Sequence, residues 1–308
     1  MSALKKMLKI GLNDCGQRLN KFVEKTFPTF PKSAIYKAIR TKKIKINGKR
    51  SDASYVLNFG DVFEIFGFDK FVKKTKVVGS RQLSQNQNID VVYEDENLLV
   101  VNKPIGLVSH PCGRESDSLI SRILAYLIKN GEFVPEKENS FKPGICNRLD
   151  ANTSGLIVAA KNCNALRCLN ELFRERRIIK TYFCEAEGVF KKTTGVLTHW
   201  LAKDKVNRKA IVRDEVFENS KQAVLEYYII KQFSNFAAVK VVLHTGRFHQ
   251  IRAQLAYEGH PLCGDVKYGG QTKNGRKMNL CADGLIFNTR GTIFDYLDGK
   301  EIKLCKIK

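Results

Sequence analysis

The sequence predicts an α+β chain in two domains, a small basic module ahead of a larger domain. Three observations predict it. At 308 residues the chain exceeds one typical domain. Strand-like and helix-like runs are interspersed irregularly, which argues against the regular strand–helix repeat of a doubly wound parallel sheet. The charge is lopsided: residues 1–85 carry 19 Lys and Arg against 6 Asp and Glu, and the remainder carries 34 against 25.

The first elements lie in 17–50, "QRLNKFVEKTFPTFPKSAIYKAIRTKKIKINGKR". Leu19, Phe22 and Val23 fall at helical spacing behind Cys15-Gly16. Pro28 and Pro31 break this helix, and Pro31 suits the start of the next. Ile35, Tyr36 and Ile39 mark that second helix, with Lys32, Lys37 and Arg40 off its apolar stripe. "KIKING" then alternates, Ile44 and Ile46 on one face, Lys43 and Lys45 on the other, and Asn47-Gly48 signals a hairpin turn. "VLNFGDVFEIF" (56–66) supplies a turn at Gly60-Asp61 and a closing strand. Across 17–50 there are 11 Lys and Arg and one acid, Glu24. A merely solvated face mixes both signs, so this imbalance favours RNA.

Residues 69–88 are polar and end in a Ser, Gln and Asn run, the composition of a linker. The expected division is a module at 15–78, a linker at 79–88 and a second domain at 89–308. In that domain "IDVVYED" and "LLVVNKP" are short strands about an acidic turn. "SDSLISRILAYLIKNG" (116–131) is an amphipathic helix, with Ser116 or Asp117 as cap and Gly131 as stop. "LIVAAKN" (156–162) is a buried strand, "CNALRCLNELFRERR" (163–177) a helix, and "KTYFCEAEGVF" (180–190) alternates like a strand. "KQAVLEYYIIKQFSNFAAVKVVLHTGRFHQIRAQLAYEGHP" reads strand, turn, strand, loop, helix.

Composition narrows the function. A formal charge of +22 favours a polyanionic partner, nucleic acid foremost. Apolar runs such as "VFEIFGF" fall far short of the roughly 20 residues that span a bilayer. The N-terminus lacks the apolar core and cleavage site of a secretory signal, so a soluble cytoplasmic protein is expected. The nine Cys contain no Cys-x-x-Cys pair and the five His no His-Glu-x-x-His, which points to reduced thiols and no metal. There is no internal repeat, no Walker loop and no Gly-x-Gly-x-x-Gly.

The chemistry-bearing stretch is "CNRLDANTSG" (146–155), which leads into the strand "LIVAA". By itself Asp150 reads as a turn former, since Asp and Asn in such loops hydrogen-bond nearby amides. An exposed Arg148–Asp150 neighbourhood carries little energy and does not alter that reading.

Two resemblances alter it. "QRLNKFV", "FPKSAIYKAIR", "KIKINGK" and "NFGDVFEI" resemble the small RNA-binding module first seen in small-subunit ribosomal protein S-four, covering roughly 17–66. "NRLDANTSGLIVAAK" resembles the His-Arg-Leu-Asp-x-x-Thr-Ser-Gly-Leu motif of the RluA-type pseudouridine synthases. Other segments agree, in family order, across about 89–290: "VVYEDENLLVVNKPIGLVSHP", "RRIIKTYFCEAEG" and "LHTGRFHQIRAQLAYEGHPLCGDVKYG".

The resemblance implies a pseudouridine synthase fold, with a mixed, mostly antiparallel sheet. It also implies that uridine in RNA is isomerised to pseudouridine without a cofactor. The bond from the ribose anomeric carbon to uracil N1 breaks, the base turns, and it rejoins through C5. Asp150 takes the catalytic position, either attacking the anomeric carbon or stabilising an oxocarbenium-like species and removing a neighbouring ribose proton. Tyr182 matches the active-site Tyr, its ring for stacking and its hydroxyl for the C5 proton. Arg252 matches the basic residue expected to pair with the carboxylate. Arg148, Asn147, Arg247 and His249 are expected at the substrate, and Arg148 could fill the stack a flipped base vacates. In the module, Lys32, Ser33, Lys37, Arg40, Lys42 and Lys43 are expected to face RNA. Two residues depart from the pattern: Asn147 stands where the motif has His, and Gln254 where the family often has His. The layout resembles the branch acting on 23S rRNA of the bacterial large subunit or its assembly intermediates, as a monomer. The alternatives are a tRNA substrate, or a non-catalytic RNA-binding ribosome-assembly factor.

Overall fold

A computed structural model describes residues 5–67, 86, 88–111, 117–272 and 277–304. Most of the expected linker, and Ser116, lie outside the described residues.

The N-terminal unit is a four-stranded antiparallel sheet with two helices. Strands β1 (Lys5–Lys9), β2 (Ile44–Ile46), β3 (Lys49–Arg50) and β4 (Val62–Phe66) run in the order β1-β4-β2-β3. Helices α1 (Leu19–Thr26) and α2 (Lys32–Arg40) cover one face. β1 lies outside the stretch read as the module, yet it pairs along the whole of β4. The apolar stripes read from sequence form the core: Leu19, Phe22 and Val23 from α1, Ile35 and Ile39 from α2, Ile44 and Ile46 from β2, closed by Phe27 and Phe63. Burying one such side chain contributes roughly 1.5–3 kcal/mol. Asn47 and Gly48 both take positive φ, 52° and 74°, the backbone of a tight hairpin turn.

The larger unit is built on an 11-stranded sheet. Its elements are β5 (Asp90–Glu94), β6 (Leu98–Lys103), α3 (Leu119–Lys129), β7 (Gly144–Ile145), β8 (Ser154–Ala160), α4 (Cys163–Arg174) and β9 (Ile178–Glu187). They continue as β10 (Thr194–Asp204), β11 (Lys209–Arg213), β12 (Lys221–Gln232), β13 (Phe236–Leu243), α5 (Gln250–Tyr257), β14 (Leu280–Phe287) and β15 (Glu301–Lys303). The main path is β11-β10-β12-β13-β9-β14-β8-β6-β5, with β15 on β14 and β7 on β8. Every pairing is antiparallel except β14 with β8. The mixed, mostly antiparallel sheet is therefore observed.

The unbroken apolar runs have a direct cause. In β6 and β8, Leu99, Val101, Ile157 and Ala159 face α3, whereas Leu98, Val100, Leu156 and Val158 face α4. Strand side chains alternate, so a strand covered on both faces is apolar throughout. The cap of α3 is Ser118, reciprocally bonded with Ser121, and not Ser116 or Asp117. A hydroxyl at 118 reaches the amide three residues on, as N-caps do.

Gly155 fixes the one parallel contact. Its φ is +115°, and a Cβ there would lie 2.3 Å from the Ala282 carbonyl oxygen. Only glycine lets β8 and β14 approach this closely, just downstream of Asp150.

The two units meet through the 13–16 loop. Asp14, only 2% exposed, accepts bonds from Asn139 Nδ2 and Ser140 Oγ, each at 2.7 Å. Asn13 Oδ1 accepts from the Cys163 amide at the start of α4, and Arg167 donates to the Cys15 carbonyl.

Candidate active site

The cleft lies where the 146–153 loop, the first half of β9, the 246–249 loop and the start of α5 converge. Its volume is about 800 Å³. Asp150, Tyr182, Arg252, Arg148, Asn147, Arg247 and His249 all line it. Residues more than 100 positions apart in sequence, Asn147 and Arg252, are thus brought to one place.

The Asp150 loop is held from several sides. Its own turn closes with a Thr153 amide bond to the Asp150 carbonyl. Ser109 Oγ donates to the Leu149 carbonyl at 2.8 Å and accepts from the Leu149 amide at 3.2 Å. The Gly106 amide donates to the Ala151 carbonyl. Lys103 is fully buried, its Nζ donating to the carbonyls of Pro104, Leu107 and Ala151 at 2.9, 2.8 and 3.3 Å. Burial pulls its pKa down to about 8, against the pull of the Asp150 charge.

Asn147 completes the anchorage. Its Oδ1 accepts from the Val158 amide at 2.8 Å and its Nδ2 donates to the Leu156 carbonyl at 3.1 Å. The side-chain amide thus extends the ladder where β7 leaves β8. Asn147 lines the cleft, but both ends of its amide are engaged on β8. It holds the loop from the wall of the cleft.

Asp150 itself is half-buried, and burial raises its pKa. The positive charges of Arg252 and Lys103 oppose that rise, and Asp265 adds to it. Arg252 does not make the direct pair expected with Asp150. Its Nε and Nη2 donate to the two oxygens of Asp265 at 2.6 and 2.7 Å, a bidentate pair that is almost wholly buried. Such planar forks are among the strongest side-chain pairs. Asp150 therefore feels Arg252 as a charge set in place by Asp265.

A third group reaches Asp150. His249 sits in the left-handed region at φ 52°, and its Nε2 lies 3.7 Å from Asp150 Oδ2. Its Nδ1 is 2.9 Å from Tyr268 Oη, which accepts from the Ala210 amide at 2.7 Å. The two ring nitrogens thus face different groups, Nδ1 the Tyr268 hydroxyl and Nε2 the Asp150 carboxylate. Burial and the charges of Arg252 and Lys267 lower the His249 pKa to about 4, so the ring is neutral near pH 7. Tyr268 also lies under the Arg252 guanidinium, 5.1 Å from carbon to ring centroid.

Tyr182 is 6% exposed on β9, and burial with the nearby Asp150 charge raises its pKa, so the phenol stays protonated. Arg247 donates to the Gln222 carbonyl and is braced through Gln250, which accepts from the Arg247 amide and from Thr245 Oγ1. Gln254 is fully buried away from the cleft, donating to the Leu197 and Ala223 carbonyls and to His199. Sequence reasoning missed Asp265, Tyr268, Lys103 and Gln250. All lie in segments that carried the resemblance.

In the module, Lys32, Ser33, Lys37, Arg40, Lys42 and Lys43 are all exposed. Ser33, Lys37 and Arg40 come together with Tyr36 and Arg50 around a depression of about 400 Å³. Lys32, Lys42 and Lys43 lie outside it.

Comparison with known proteins agrees with this architecture. Residues 97–257 match the family described as RNA pseudouridylate synthase, and residues 17–63 match the S4 domain. The chain is 33% identical over 301 residues, 95% of each chain, to an uncharacterized RNA pseudouridine synthase of Mycoplasma capricolum. It is 30% identical to ribosomal large subunit pseudouridine synthase C of Vibrio parahaemolyticus, covering 93% of this chain and 87% of that one. In fold it is similar to human RNA pseudouridylate synthase domain containing 1, with a TM-score of 0.56 at 22% identity over 75% of this chain and 85% of that one.

Proposed function

The chain belongs to the RNA pseudouridylate synthase family, and on that premise we propose that Asp150 is the carboxylate with which it isomerises uridine in the 23S rRNA of the large ribosomal subunit. The protein is an RNA pseudouridine synthase, an isomerase carrying an S4 RNA-binding domain. The observation that carries the assignment to Asp150 is the composition of the cleft. Among the described residues lining it, Asp150 is the one carboxylate, set among Arg148, Lys180, Lys203, Arg247 and Arg252.

The chemistry needs one ionised carboxylate. Asp150 meets the anomeric carbon as the bond to N1 breaks, or removes the adjacent C2′ proton; either route uses the same charged form. The base turns, C5 bonds to the anomeric carbon, the C5 proton leaves and N1 takes up a proton. The product is an isomer of the substrate. Tyr182 offers its ring to the uracil, and its hydroxyl relays the C5 proton, accepting it as it gives up its own. Arg252, locked by Asp265, favours the ionised form of Asp150.

The large-subunit substrate is supported by the name of the Vibrio relative and by the exposed basic face of the module. A single chain working in a bacterial cytoplasm completes the reading. The test is to map pseudouridine across all RNAs in cells with and without the gene. Loss of one or more 23S rRNA positions is expected. Loss confined to tRNA would move the substrate, and no loss anywhere would contradict the reading.

A further inference from the structure

Lys180 is a cation without an assigned purpose. It lies two residues before Tyr182 on β9, so strand alternation puts both side chains on one face, and both line the cleft. Its register partners are Leu243 and Leu285, which offer it no charge. The neighbouring carboxylate, Asp283, bonds Thr181 Oγ1 at 2.8 Å on the opposite face. No hydrogen bond or ion pair reaches Lys180 Nζ among the described residues. Gly246 leaves space beside it: a Cβ there would stand 3.6 Å from Nζ.

The electrostatics are one-sided. Burial lowers the Lys180 pKa, and the charge contributing next is another cation, Arg176. A half-buried ammonium without a counter-charge costs free energy in the unliganded fold. An anion placed beside it removes that cost and gains a charge-assisted bond.

We infer that Lys180, with the Gly246 backbone beside it, forms a binding position for a phosphodiester of the RNA next to the nucleotide held at Asp150. The inference rests on the RNA reading of the cleft but not on the isomerisation. Lys180 binds substrate; it does not touch the reacting carbon.

The test uses the full chain and a short hairpin RNA with a single loop uridine, each flanking phosphodiester replaced in turn by a neutral methylphosphonate. At one linkage, the wild type should lose about tenfold in affinity. Lys180→Met should lose the same factor on unmodified RNA and nothing further at that linkage. Its plot of log affinity against log salt should be shallower by about 0.7, one phosphate contact in a single strand. Lys180→Arg should restore both. Lys180→Met should melt no lower than the wild type, because it removes an uncompensated cation. An unchanged salt slope, or the absence of any linkage that couples to residue 180, would overturn the inference. So would a Lys180→Met chain that melts far lower yet binds RNA normally, the behaviour of a structural lysine. If wild type forms no pseudouridine while the coupling persists, the isomerase reading fails and this one stands.

Discussion

Arg252 clamps Asp265, its two guanidinium nitrogens 2.6 and 2.7 Å from the carboxylate oxygens. Asp265 therefore sets the cation that Asp150 senses. Removing one partner of a buried pair leaves an uncompensated charge, at a cost of roughly 3–5 kcal/mol. Asp265→Ala should lose about that much stability in urea unfolding, and turnover should fall with it. Arg252→Lys, which cannot form the fork, should fall between Asp265→Ala and wild type. Wild-type stability in Asp265→Ala would contradict the pairing.

His249 places Nδ1 2.9 Å from Tyr268 Oη and Nε2 3.7 Å from Asp150, so a Tyr268 hydroxyl donating to Nδ1 predicts the imidazole proton on Nε2. Nitrogen-15 NMR of the imidazole should find the proton on Nε2 at pH 7. Tyr268→Phe should redistribute it and lower kcat with KM little changed, by about tenfold, the worth of the lost Tyr268–His249 hydrogen bond. An imidazolium at pH 7, or a wild-type tautomer in Tyr268→Phe, would refute this arrangement.

Asn147 shows what the missing histidine position does. Its amide bonds Val158 and Leu156 as a backbone would. Asn147→Ala strips partners from two strand groups and should cost about 1–3 kcal/mol in unfolding measurements. Turnover should drop with RNA affinity retained, since the loop presenting Asp150 loosens. Weaker RNA binding at unchanged stability would instead assign Asn147 to the substrate.

Asp150 also gives the activity a direction in pH. Burial raises its pKa, and the proposed chemistry needs it ionised, so kcat should climb with pH through a value above the ordinary aspartate range. The stability sign is opposite. The folded state holds this proton more tightly than the unfolded state, so its contribution favours folding at low pH. That contribution declines as pH rises from the unfolded to the folded pKa. Asp150→Asn should remove this dependence and melt at or above the wild-type temperature at neutral pH. A lower melting temperature would mean that the charge stabilises the fold.

Much of this was legible in the sequence, and what was not has physical causes. The stripes of Leu19, Phe22, Ile44 and Ile46 announced the module, because helix and strand periods differ. β1 did not announce itself: "KKMLK" is mostly lysine, and its strand character comes from pairing with β4, more than 50 residues away. In the site, Asp150, Tyr182 and Arg252 stand in local patterns and reach the cleft as expected. Asp265 and Tyr268 stand in the same resembling segment as Arg252 and His249, but their pairing exists only once the chain folds back after α5. Lys103 read as the polar end of an apolar strand, and its three carbonyl partners exist only once the Asp150 loop has folded over it.

The central claim is that the Asp150 carboxylate does the chemistry. The most direct measurement is single-turnover pseudouridine formation in 23S rRNA by wild type and Asp150→Asn, with RNA binding followed in parallel. The expected result is product with wild type, none detectable with Asp150→Asn, and equal binding. Pseudouridine formed by Asp150→Asn at a rate near wild type would contradict it.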